Sequence, residues 1–190
     1  MGTRVILTYR DYEALPADGR RYELHEGELS VTPAPGTQHQ RVVGRLYRLL
    51  SQHAEARGLG EVLVAPVDCV LSDTTVVQPD IVYVESSRSS LVSARGIEGP
   101  PTLVVEVLSP STAQLDRGTK LQLYARHGVP YYWIVELEGQ RVRSLRPGRG
   151  HLQARRAPGP RRERLAAALP RPHDRRNLAL ALIDALRARL

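Results

Sequence analysis

Residues 102–108, Thr-Leu-Val-Val-Glu-Val-Leu, decide the fold. Apart from Thr102 and Glu106 every side chain in the run is apolar, with no alternation of polar and apolar positions. A continuous apolar run of this length, rich in β-branched valine, predicts a central strand covered on both faces. Glu106 sits in the middle of it. A carboxylate there is costly in free energy unless it is paired, hydrogen-bonded or bound to a metal. The stretch that sets the architecture therefore also marks where chemistry is expected.

Working upstream, Val76–Glu85 (VVQPDIVYVE) predicts a strand entered through Pro79, with Asp80 at its start. Leu59–Leu71 predicts one long or two short strands bent at Pro66, and the polar stretch Ser86–Pro101 a loop with a helical turn. In Thr37–Arg57 the residues Val42, Val43, Leu46, Leu49 and Leu50 recur at helical spacing, and Gly58 ends the helix. Arg21–Thr32 predicts two strands around a Glu26-Gly27 turn, followed by a Pro33–Gly36 loop. Thr8–Leu15 predicts a short helix, with Thr8 as N-cap, Asp11 three residues on and Pro16 as stop. Downstream, Pro110 and Thr112 open a helix to about His127, capped by Gly128. Tyr131–Glu138 is a strand, turned by Gly139-Gln140 into Arg141–Leu145. This order predicts an α/β (α+β) domain, a central mixed sheet flanked by helices.

A chain of 190 residues has room for one domain with a proper core. No apolar run approaches the roughly 20 residues that cross a bilayer, and the first residues, MGTRVILTYRDYEALP, do not read as a signal peptide. The expectation is a cytoplasmic protein with no membrane partner. The single cysteine, Cys69, excludes an internal disulfide and a cysteine zinc site, and its neighbours Val67, Val70 and Leu71 predict a buried thiol.

The net charge of +7 is unevenly spread. Residues 1–140 hold 13 basic and 17 acidic side chains, a net of −4, and residues 141–190 hold 14 and 3, a net of +11. The natural division is a domain over 1–146 and a basic Arg/Pro/Ala-rich tail over 147–190. Two readings fit the tail: a shifted reading frame near residues 147–155, or a native basic extension ending in an amphipathic helix over Asn177–Leu190. Of the 27 basic residues, 26 are arginine and one, Lys120, is lysine. Where arginine serves every other need for positive charge, a retained lysine points to a compact ammonium whose pKa can shift.

Gln78-Pro79-Asp80, Glu106, Asp116 and Lys120 form the chemically informative set. Carboxylates on neighbouring strands can converge on one divalent ion, and hard oxygen ligands suit Mg²⁺ or Mn²⁺. Such an ion polarises a phosphodiester and lowers the pKa of a bound water, and a lysine beside it stabilises developing charge. Each residue also has a plainer reading. Asp80 after a proline caps turns, a buried Glu106 pairs with an arginine, and Asp116 with Lys120 forms an i, i+4 salt bridge.

Taken together, the set resembles the Uma-type endonucleases of the PD-(D/E)XK, restriction-endonuclease-like superfamily. The matching stretches are Tyr22-Glu23-Leu24 with Gly27-Glu28, His39, Gln78-Pro79-Asp80-Ile81 and Val105-Glu106-Val107-Leu108-Ser109-Pro110-Ser111-Thr112. Asp116, Lys120, Tyr124, Gly128-Val129 and Tyr132-Trp133-Ile134-Val135 complete them. The resemblance covers about residues 5–146. It implies metal-ligand carboxylates at Asp80 and Glu106, a catalytic Lys120, a Mg²⁺ or Mn²⁺ cofactor and a DNA substrate, hence a Mg-dependent endodeoxyribonuclease. Superfamily members carry a lysine two positions after the acid, where this chain has Leu108; Lys120 on the next helix matches the displaced position. Glu23 is either a further acid or supporting group or an exposed strand residue, His39 either a phosphate contact or a solvated histidine at the helix start, and by analogy a homodimer is expected. The alternatives are a nucleic-acid- or partner-binding protein that keeps the fold without the chemistry, and a metal-dependent hydrolase of small phosphoesters.

Overall fold

The computed structural model describes residues 5–136, 141–148 and 151–154. The helix expected over Asn177–Leu190, and the tail beyond residue 154, lie outside the described residues.

Helix α1 (Tyr9–Glu13) starts as its sequence dictates, because both the backbone N–H and the hydroxyl of Thr8 donate to Asp11 Oδ2 at 2.8 Å. Strands β1 (Arg21–His25) and β2 (Glu28–Thr32) form the expected hairpin, with φ of 55° at Glu26 and 82° at Gly27. Two successive positive φ values give a two-residue turn whose twist matches the strands it joins. Helix α2 (Thr37–Glu55) buries Val43, Leu46, Leu50 and Ala54 on one face, at the helical spacing.

Where one central sheet was expected, there are two, each of six strands and each mixed. The first has the order β2-β1-β5-β4-β8-β7, with β4 (Cys69–Ser72), β5 (Thr75–Val77), β7 (Val92–Ser93) and β8 (Gly96–Glu98). The second has the order β12-β11-β10-β9-β6-β3. Its strands are β3 (Gly60–Val64), β6 (Ile81–Glu85), β9 (Leu103–Val107), β10 (Tyr131–Glu136), β11 (Arg141–Gly148) and β12 (His151–Ala154). Two prolines separate the sheets. The stretch expected as one strand over Val76–Glu85 is cut at Pro79, leaving β5 in the first sheet and β6 in the second. Pro66 lies between β3 and β4, which likewise belong to different sheets. Proline has no N–H to extend a ladder, so each marks a crossing point. The Ser86–Pro101 region, expected as a loop with a helical turn, holds a 3₁₀ helix over Ser86–Leu91 and the short pair β7–β8. The sheet also continues past residue 146, through the end of β11 and β12.

Strand β9 is flanked by β6, antiparallel, and β10, parallel, and all five of its residues are buried. Val82, Val84, Val104, Tyr132 and Ile134 project into a core shared with Cys69, Val77 and Ile97 of the first sheet. Cys69 is fully buried, as its neighbours predicted, and burial pushes its thiol well above the ordinary range. Side chains alternate along a strand, so Glu106, in phase with Val104, faces this inter-sheet side; α2 packs against the same sheet.

Candidate active site

The two acids meet because of strand register. The last antiparallel pair between β6 and β9 is Ile81 with Val105. One step further along, Asp80 lies across from Glu106, and both are on the face opposite to that of Ile81 and Val105. Asp80 is 5% exposed, and its Oδ2 accepts the backbone N–H of Val107 at 2.9 Å and lies 3.1 Å from His39 Nε2. Arg21 Nη1 stands 3.7 Å from Oδ1. Pro79 thus does more than cap a turn: by ending β5 it releases the chain to deliver Asp80 onto the neighbouring sheet.

Lys120 comes from a helix of unusual build. Where a single helix over Pro110–His127 was expected, α3 (Ala113–Leu115) leads into a π-helical turn, Asp116–Lys120, and then α4 (Leu121–Arg126). The wider turn buries both Asp116 and Lys120, and π-bulges of this kind occur often at functional sites. Lys120 is 4% exposed. Its Nζ donates to Glu106 Oε1 at 3.0 Å, and Glu23 Oε1 lies 2.9 Å away and Asp116 Oδ1 3.8 Å away. The Asp116–Lys120 pair is therefore not a surface salt bridge, and Lys120 turns inward, away from bulk solvent.

Glu106 has a second support, the Tyr124 hydroxyl, which donates to Oε1 at 2.8 Å. Burial, with Asp80, Asp116 and Glu23 adding to it, pushes the Glu106 carboxyl up to about 8 in spite of Lys120. For Glu23 the balance is reversed: burial would raise it, but Lys120, His25 and the Gln78 N–H together hold it at about 2. Burial would likewise depress the Lys120 ammonium, and Glu106, Glu23 and Asp116 raise it instead. Two glutamates sharing one ammonium are thus driven in opposite directions, a pattern characteristic of sites where groups take different protonation roles.

Asp80, Glu106, Asp116 and Lys120 line a pocket of about 170 Å³ walled by residues 32–36 and 109–112, with Arg21 and His39 also in its lining. Glu106 Oε2 and Asp80 Oδ1 accept no hydrogen bond among the described residues. Glu106 Oε2 is thus open and Asp80 Oδ1 has Arg21 Nη1 at 3.7 Å, so each of two opposed carboxylates offers one hard oxygen, a donor set that fits a small divalent cation. Among the described residues no three His, Cys, Asp or Glu side chains gather into a cage. A Mg²⁺ or Mn²⁺ ion would take two protein carboxylates here and fill its shell with water and substrate oxygens, as Mg²⁺ commonly does.

All five residues singled out from sequence, Asp80, Glu106, Lys120, Glu23 and His39, come together here. Sequence reasoning missed three others. Arg21 reaches Asp80 and the Gln78 carbonyl, yet nothing marks it among 26 arginines. Tyr124 stands in the sequence only as one residue of the family pattern, and its place four residues after Lys120, on the same helix face, was the available signal for its role. His25 has its Nε2 3.1 Å from Glu23 Oε2, and the strand spacing of two was the available signal.

Glu23 gives a direct test. Its folded value of about 2 lies below the ordinary 4.5, so its contribution to stability is complete above pH 4.5 and is lost as pH falls towards 2. From this group the wild type should lose on the order of 3 kcal/mol across that window. Glu23→Gln should be less stable at neutral pH and show a flatter profile between pH 4.5 and 2, followed through the fluorescence of Trp133, the single tryptophan. Parallel profiles for the two proteins would remove Glu23 as the charged partner of Lys120.

Two acids from neighbouring strands, a lysine from the following helix and a mixed sheet flanked by helices define a restriction-endonuclease-like fold. The family model Uma2, described as "Putative restriction endonuclease", matches residues 9–181, and the chain belongs to this family. The match continues past residue 146, into the stretch that the sequence reading set outside the resemblance. The fold is similar to that of a crystal structure described as "a putative nuclease belonging to DUF820 from Anabaena variabilis ATCC 29413". That likeness has a TM-score of 0.68 at 18% identity and covers 94% of this chain and 92% of the other. No curated protein matches the chain. No helix among the described residues is long and apolar enough to cross a membrane.

Proposed function

We propose that the chain is a metal-dependent endonuclease that hydrolyses DNA phosphodiester bonds at the pocket around Asp80 and Glu106. Asp80 and Glu106 would hold a Mg²⁺ or Mn²⁺ ion, which when bound would polarise the phosphodiester and lower the pKa of a coordinated water. The Lys120 ammonium, fixed at its Nζ between Glu106 and Glu23, stabilises negative charge that develops on the phosphate oxygens. Glu23 is a positioning residue that keeps this ammonium protonated and aimed. His39 and the Val107 N–H fix the Asp80 carboxylate through Oδ2, so that it would meet the ion in a set orientation. The observation that supports this reading most is the 3.0 Å separation of Lys120 Nζ from Glu106 Oε1 inside the pocket. Lysine thus restores from the next helix what Leu108 lacks.

A second reading, a nucleic-acid- or partner-binding protein without hydrolysis, is favoured by the net charge of −4 over residues 1–140. Titrating Mg²⁺ or Mn²⁺ against labelled single- and double-stranded DNA separates the two. Asp80→Asn, which preserves an acceptor for the Val107 N–H, should lower the cleavage rate roughly 10²-fold or more. Cleavage that survives in both Asp80→Asn and Lys120→Ala would reject the assigned site. Binding without cleavage at every metal concentration would favour the second reading.

A further inference from the structure

We infer that the outer face of α2 is the surface on which the phosphate backbone of the substrate runs beside the pocket, held by Arg41, Arg45 and Arg48. This rests on the nuclease reading above. The three residues stand at i, i+4 and i+7, which on an α-helix is a single stripe, and all three are exposed. They lie opposite the buried positions Val43, Leu46, Leu50 and Ala54.

Like the isolated Arg10 and Arg88, they lack an ion-pair partner among the described residues, but only these three share one helix face. Arg20, Arg21, Arg57, Arg95, Arg117, Arg126 and Arg143 each have a carboxylate or histidine partner. Arg41, Arg45 and Arg48 have no such partner among the described residues. The whole 19-residue helix carries one acid, Glu55, at its far end. A domain with more acids than bases thus gathers three unpaired guanidinium groups on one face of one helix.

The helix reaches the site through its N-terminal end, not through the arginine face, because His39 is buried on the side of Val43 and Leu46. Its first turn supplies His39, 3.1 Å from Asp80, and Gly36 and His39 line the pocket. Gly36 offers no side-chain cap and the first turn has no acid of its own, so the positive pole of the helix stands at the pocket, faced by Asp80. From Arg41 to Arg48 the helix rises about 10 Å at 1.5 Å per residue. Phosphates along one strand of B-form DNA are spaced about 3.4 Å along the axis, so the stripe spans about three phosphate steps. Guanidinium groups suit this role, because each can make paired hydrogen bonds to phosphate oxygens. A strand whose reacting phosphate lies at the pocket then keeps its flanking phosphates on α2, with no base read.

The test uses the full chain and a labelled duplex, with Ca²⁺ replacing Mg²⁺ to measure binding by fluorescence anisotropy over a range of salt. Neutralising three phosphate contacts in R41Q/R45Q/R48Q should lower the slope of log affinity against log salt by roughly 2 to 3. At low salt its affinity should fall at least tenfold, whereas R41K/R45K/R48K should keep the slope. Arg10→Gln, an exposed arginine on α1, should leave the slope unchanged, and thermal melts check that each variant folds. An unchanged slope in the triple glutamine variant, with wild type binding and cleaving, overturns the inference and leaves the nuclease reading intact. A loss that the lysine variant fails to restore also overturns it. Wild-type binding with the expected slope change but no cleavage in Mg²⁺ overturns only the hydrolytic reading. A wild type that neither binds nor cleaves overturns both.

Discussion

Lys120→Met should unfold roughly 10 °C below the wild type and lose metal-dependent cleavage altogether. The ammonium is 4% exposed and stands within 4 Å of three carboxylates, Glu23, Glu106 and Asp116. Removing one partner of a buried ionic cluster leaves the others uncompensated, at a cost of about 3–5 kcal/mol. In a domain of this size each kcal/mol shifts the melting temperature by about 2–4 °C. A double variant, Lys120→Met with Glu23→Gln, should regain part of the lost stability and none of the cleavage. That split matters, because a lysine with a purely structural task would recover both when its counter-charge is removed. Lys120→Arg should not rescue cleavage: a planar fork cannot take the place of a compact ammonium in a filled cavity. Calorimetry and a cleavage assay on the three proteins decide it. A Lys120→Met protein as stable and as active as wild type would show that the amine does neither job.

Gly60→Ala should be the most damaging single methyl group in the described fold, costing at least about 3 kcal/mol. Its φ of 147° is one that side-chain-bearing residues rarely adopt. An added Cβ would also lie 2.1 Å from the Val84 carbonyl oxygen and 2.7 Å from Glu85 Cα, both backbone. Backbone cannot swing aside as a side chain can, so β3 must separate from β6. Strain and steric exclusion then add to the ordinary cost of an alanine at positive φ. Because β6 follows directly on Asp80, the displacement reaches the site: cleavage should fall with stability. Urea denaturation, with hydrogen exchange at Val82 and Val84, locates the loss. A midpoint equal to wild type would mean that β3 pairs with β6 less tightly than its register indicates.

Periodicity made much of this architecture readable, and it failed where tertiary context took over. Leu103–Val107 and Thr37–Glu55 fall inside the stretches expected from their apolar patterns, because burial on two faces or one leaves a direct imprint on residue choice. The same logic cannot say which sheet a strand joins. Val76–Glu85 looks like one strand through Pro79, since a missing N–H signals an interruption but not the destination of the chain beyond it. The acids and lysine of the site were readable because Glu106 interrupts a valine run and Lys120 is the single lysine. Arg21 and Tyr124 were not, as an arginine or tyrosine with a local reason to be where it is carries no mark of a distant partner. The π turn was hidden for a different reason: DRGTK is compatible with an ordinary helix, and only the need to seat two charged residues inward distinguishes it.

That extra width at Asp116–Lys120 makes the length of the helical segment, rather than residue identity, the variable that controls the site. Ordinary helical winding advances about 100° per residue, so deleting any one residue between Thr112 and Asp116 would rotate the amine a quarter of the way round its axis or more. A shortened chain could keep every acid, the lysine and the whole sheet and still present its one primary amine to the wrong wall. Engineering or recombination that respects the motif but not the count across this segment would yield a folded and inert protein.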